Sequence, residues 1–142
     1  MKEKYDLMVG DWVMWKKCPL ISPYTFEPLR IMYIESSYDG TYFSKDKSIN
    51  SELIFPIPLC SNILEKIGFD RYLGESDHFT MSIGEKDTPS EFDTLDITLS
   101  RNGLWMLDIQ RYLRVNGRFF IRYVHELQHI LRLAEIDIPI EL

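Results

Sequence analysis

The sequence has only two cysteines, Cys18 and Cys60, far apart and outside any CxxC arrangement. That argues against both a disulfide framework and a cysteine zinc site, and makes reduced thiols the expectation. No run approaches the ~20 apolar residues that a membrane-crossing helix needs. The opening Met1-Lys2-Glu3-Lys4-Tyr5-Asp6 carries charges of both signs and no apolar stretch of signal-peptide length. A cytoplasmic protein with no membrane partner is therefore expected.

Positive charge is also short. Against 22 Asp and Glu stand 16 Lys and Arg, a net charge of −6, so the chain as a whole repels a phosphate backbone. Binding of nucleic acid would need a local basic patch. Its candidates, Arg111, Arg114, Arg118, Arg122 and Arg132, are scattered and read as solvated faces. Missing too are a G-x-S-x-G elbow, a phosphate-cradling glycine-rich loop and a dinucleotide fingerprint, which argues against serine hydrolases, P-loop enzymes and nicotinamide enzymes. No internal repeat, low-complexity tract or Gly/Ser linker divides the chain.

What is present suits one domain. A chain of 142 residues can bury a core without a metal or disulfide staple. With 45% hydrophobic and 27% charged residues, the composition is that of a globular protein rather than a disordered one. Trp12, Trp15 and Trp105 lean toward β packing.

The first third predicts strands. Leu7-Met8-Val9-Gly10-Asp11-Trp12-Val13-Met14-Trp15 reads as one strand with a Gly-Asp turn or bulge near its start. Pro19, Pro23 and Pro28 predict a long loop. Leu29-Arg30-Ile31-Met32-Tyr33-Ile34 and Thr41-Tyr42-Phe43 then read as strands joined through Asp39-Gly40. Leu53-Ile54-Phe55-Pro56-Ile57-Pro58-Leu59 predicts a short strand at a sheet edge, because its prolines cannot donate to a ladder. Several short strands within about sixty residues suggest a small SH3-like barrel.

In the second part, Ser61 is the expected N-cap of a short helix carrying Ile63, Leu64 and Ile67, with Gly68 as its stop. His78-Phe79-Thr80-Met81-Ser82-Ile83 alternates as a strand, and residues 84 to 91 read as a polar loop. Arg101-Asn102-Gly103 predicts a tight hairpin in which Asn-Gly supplies left-handed angles. Asn116-Gly117 predicts a further turn, between Tyr112-Leu113-Arg114-Val115 and Phe119-Phe120-Ile121. A closing helix is expected from about residue 123 to 135.

One motif carries possible chemistry. His125-Glu126-Leu127-Gln128-His129 has the H-E-x-x-H spacing, in which two histidines one helical turn apart can hold zinc while the glutamate activates a bound water. A helical wheel places Tyr123, Val124, Leu127, Ile130, Leu131 and Ala134 on the apolar face, and His125 and His129 opposite, near Arg122 and Arg132. Neighbouring guanidinium groups disfavour a dication, and a third ligand is not evident in sequence. Glu135, Asp137 and Glu141 follow at spacings that match no extended zinc motif, and His78 or an acid elsewhere would have to complete the set. A solvated histidine face is the preferred reading, with no cofactor expected.

Two other groups are weaker. Glu85, Asp87, Glu91, Asp93 and Asp96 lack calcium-loop spacing and read as a solvated acidic stretch. Trp12, Trp15, Tyr24, Phe26, Tyr42 and Phe43 would line a shallow peptide groove or pack the barrel. Strand spacing favours packing. Trp12, Trp15, Tyr42 and Phe43 remain the binding candidates.

Three blocks together carry a resemblance: Leu7-Met8-Val9-Gly10-Asp11-Trp12-Val13; Pro56-Ile57-Pro58-Leu59 followed by Ile63-Leu64-Glu65-Lys66-Ile67-Gly68-Phe69; and Tyr123-Val124-His125-Glu126-Leu127-Gln128. Their order resembles an uncharacterised family of small proteins from gut bacteria and their phages or mobile elements. The blocks frame nearly the whole chain, while residues 16 to 28 and 70 to 100 have no counterpart. The resemblance implies bacterial or phage-related origin and no assigned activity or ligand. In the family pattern the position of His129 is Asn in many members and Glu126 is often Gln. This implies a scaffold that does not depend on either as ligand or base.

The expected architecture is α+β: an SH3-like β lobe over residues 1 to 58, then residues 59 to 142 as a helix, an antiparallel meander and a C-terminal helix across the sheet, packed as one unit. The expected function is a non-catalytic binding or protein-interaction module, with a protein partner or a second copy. The alternatives are a zinc-dependent hydrolase, with His125 and His129 as ligands and Glu126 as base, and nucleic-acid binding through the first lobe.

Overall fold

The structure, a computed structural model, describes residues 7–17, 25–31, 33–35, 41–44, 47–50, 53–75, 77–84, 93–111 and 117–142. They form an α+β fold, mostly strands paired antiparallel, with two α-helices among the described residues. The chain divides into two compact units, Met1–Pro58 with Tyr123–His129, and Leu59–Arg122 with Ile130–Leu142.

Among the described residues, the first unit opens with a turn rather than a strand. Asp11 N–H donates to the Met8 carbonyl at 3.1 Å, and Gly10 sits at φ 96, a left-handed angle that a residue without Cβ reaches at no steric cost. The expected strand from Leu7 therefore starts only at β1 (Trp12–Lys17). It pairs with β2 (Thr25–Arg30) on one side and β6 (Ile54–Pro56) on the other, in the order β2-β1-β6. The expected loop through Pro28 is thus strand from Thr25 onward. Pro28 lies opposite Met14 on an edge strand, where a residue lacking an N–H is tolerated.

The single strand expected from Leu29 is broken at Ile31, after which β3 (Tyr33–Glu35), β4 (Thr41–Ser44) and β5 (Lys47–Asn50) pair in chain order. The Asp39-Gly40 turn lies outside the described residues. At the other edge of the first sheet, β6 stops at Pro56. Its continuation pairs Pro58 with Tyr123, and Val124 N–H donates to the Ile57 carbonyl at 2.9 Å. Val13, Ile31 and Ile54 form the buried centre, with Leu7, Trp15 and Leu53 partly buried around it.

In the second unit, α1 (Ser61–Ile67) buries Leu64 and Ile67. Cys60 rather than Ser61 is its N-cap, because the extended Cys60 already offers its carbonyl to Leu64 N–H at 3.0 Å. At its end Gly68 N–H donates to Glu65 and Phe69 N–H to Leu64, a Schellman closure that uses the glycine at φ 121. The sheet runs β11 (Gly117–Ile121), β10 (Trp105–Gln110), β9 (Thr94–Leu99), β8 (His78–Ser82), β7 (Asp70–Arg71).

Its register aligns Phe79, Ile97 and Leu107 across three strands, all fully buried. The next row on the opposite face is Thr80, Asp96, Asp108 and Arg118. This is the two-residue alternation that puts one face in the core and the other in water. Trp105 meets Phe79 edge to face at 6.0 Å, and its indole N–H finds the Leu59 carbonyl at 2.9 Å.

The hairpin at Asn102-Gly103 forms, but only Gly103 is left-handed, at φ 83. Gly103 N–H donates to Ser100, and Ser100 N–H to Leu104. The loop is thus one residue longer than a two-residue Asn-Gly turn and is closed by a glycine bulge. The strand expected at residues 112 to 115, Asn116, and most of the 84 to 91 loop lie outside the described residues. The final helix, α2, spans Val124–Leu133. Among the described residues no helix is long and apolar enough to cross a membrane.

Candidate functional site

The H-E-x-x-H segment lies in the first turns of α2, and the structure corrects the expectation of a solvated face. His125 is 3% exposed and the side chain of His129 is 19% exposed. The wheel identifies which residues are apolar, not whether something covers the polar side. Here the turn of residues 8 to 12 meets it at Gln128 and His129.

Asp11 is the centre of that contact. Its carboxyl is fully buried; Oδ2 accepts the Met8 N–H at 2.7 Å and lies 2.7 Å from His129 Nε2. Beside it, Gln128 bridges the backbone on either side of Asp11. Its Oε1 accepts Trp12 N–H at 2.8 Å, and its Nε2 donates to the Gly10 carbonyl at 3.0 Å. A side-chain amide carries an acceptor oxygen and a donor nitrogen on one planar group, so it can serve both backbone groups at once without a charge. The same turn is tied to Ile31, just past β2, by Gly10 N–H on the Ile31 carbonyl and Ile31 N–H on the Asp11 carbonyl.

Glu126 has a local task. Its Oε1 accepts the N–H of Tyr123, the residue just before the helix, at 3.1 Å, which is the reach-back half of a capping box. Its negative charge also suits the positive end of the helix dipole. Tyr123 stacks on the His125 ring at 5.7 Å and 9°, and the two histidine rings stand 5.6 Å apart at 70°.

This geometry bears on metal binding. A zinc ion held by an imidazole and a carboxylate keeps their donor atoms about 3.3 Å apart at tetrahedral angles. At 2.7 Å, Asp11 and His129 are in direct hydrogen-bond contact. Asp11 supplies the acid that a third ligand would require, but no three His, Cys, Asp or Glu side chains among the described residues are arranged to hold a metal ion.

The other sequence candidates are dispersed. His78 belongs to the second unit, lies against the Tyr72 ring at a tilt of 32°, and is 4.0 Å from both Glu75 and Asp96. Glu135, Asp137 and Glu141 are exposed near the C-terminus. Glu85, Asp87 and Glu91 lie outside the described residues. Among the arginines, Arg111 donates to the Ala134 carbonyl and Arg118 pairs with Asp108, both at 2.7 Å. Arg122 and Arg132 are exposed, and Arg114 lies outside the described residues.

Trp12 is buried, and Trp15 packs against the Val13 cluster. Tyr42 and Phe43 lie in β4, opposite Ile34 and Tyr33; their side chains fall outside what is described. Sequence reasoning missed Asp11 and Gln128. The one available signal was an acid placed between Gly10 and Trp12 in an otherwise apolar stretch, a position that must be satisfied if buried.

Comparison with protein-family models, with curated proteins and with solved structures gives no match.

Proposed function

We propose that the chain is a non-catalytic module that binds protein, with an SH3-like first lobe. The observation that carries the non-catalytic part is the use made of the motif. Glu126 caps α2, Gln128 bridges Gly10 and Trp12, and His129 rests on Asp11. A carboxylate bonded to its own helix N-terminus is not positioned as a general base.

The strand order supports the SH3-like reading. The first lobe holds two small antiparallel sheets of short strands, β2-β1-β6 and β3-β4-β5, the kind of strand content a small barrel is built from. A protein partner is supported by Phe120, 60% exposed on β11, since aromatic side chains are enriched at protein interfaces. The acidic net charge weighs against nucleic acid.

A second reading, the zinc-dependent hydrolase, draws support from the buried acid beside His129 and is opposed by the engagement of Glu126. Calorimetric titration of the untagged chain with zinc separates the two. The interaction reading expects no stoichiometric uptake. One zinc per chain, lost in both Asp11→Asn and His129→Asn, would overturn it.

A further inference from the structure

We draw no further inference here: the strongest candidate, the exposed aromatic pair Phe119 and Phe120 on β11 at the edge of the five-stranded sheet, carries nothing because nothing in the structure shows what covers it.

Discussion

Asp11 and His129 stand 118 positions apart in sequence, yet their side chains meet at 2.7 Å, with the carboxyl entirely removed from solvent. A buried carboxylate is costly unless it is hydrogen-bonded, and both the Met8 N–H and the His129 ring meet its Oδ2. The motif that suggests catalysis by spacing is therefore part of what holds the first unit together.

Asp11→Ala should be among the most damaging single changes in the first unit. It removes the acceptor of Met8 N–H and the partner of His129, and charge-assisted bonds of this kind are worth about 1.5–3 kcal/mol. A loss of about 2–3 kcal/mol in urea unfolding, followed by tryptophan fluorescence, is expected. Asp11→Asn, which keeps one acceptor oxygen, should lose less.

Gln128→Ala removes both bonds to the backbone of Gly10 and Trp12 and should cost about 1–2 kcal/mol in the same measurement. Gln128→Glu tests the donor half alone. The carboxylate still accepts Trp12 N–H but sets an oxygen against the Gly10 carbonyl, so this near-isosteric variant should also be less stable than the parent. Equal stability of Gln128→Glu and the parent would contradict the bridge.

For Glu126 the prediction concerns the difference between two replacements. Gln can still reach back to Tyr123 N–H, whereas Ala cannot. Glu126→Ala should lose about 0.5–2 kcal/mol, and Glu126→Gln clearly less. Chemical denaturation of both variants checks the order.

Much of this fold can be read from the chain alone, for reasons that are local. Gly68 and Gly103 mark a helix stop and a hairpin because left-handed angles are needed there. The alternation of Leu95, Ile97, Trp105, Leu107 and Ile109 marks a half-buried sheet. Three features were misread or missed. β2 forms across Pro28 because it occupies an edge, and sheet order is not written in composition. Cys60 caps α1 through backbone geometry, without a side-chain bond. The contact of His129 with Asp11 depends on a turn more than a hundred residues away, and periodicity within α2 carries no information about it.

The end of α2 offers a stabilising change. Glu135 sits at φ 57; its N–H bonds to Arg132, and Ile136 N–H bonds to Leu131. This is a Schellman closure with a non-glycine residue in the left-handed position. Because a side chain there is strained by about 1 kcal/mol, Glu135→Gly should raise stability by about 0.5–1 kcal/mol. A thermal melt showing a lower midpoint would contradict this.

The central claim, that His129 acts through Asp11 to hold the turn of residues 8 to 12 in place, is tested most directly by a double-mutant cycle of Asp11→Ala and His129→Ala in urea unfolding. The paired side chains should show a coupling energy of at least about 1 kcal/mol, with the second substitution costing much less once the first is present. Two losses that add to within about 0.3 kcal/mol would mean that the residues act independently and would contradict the account.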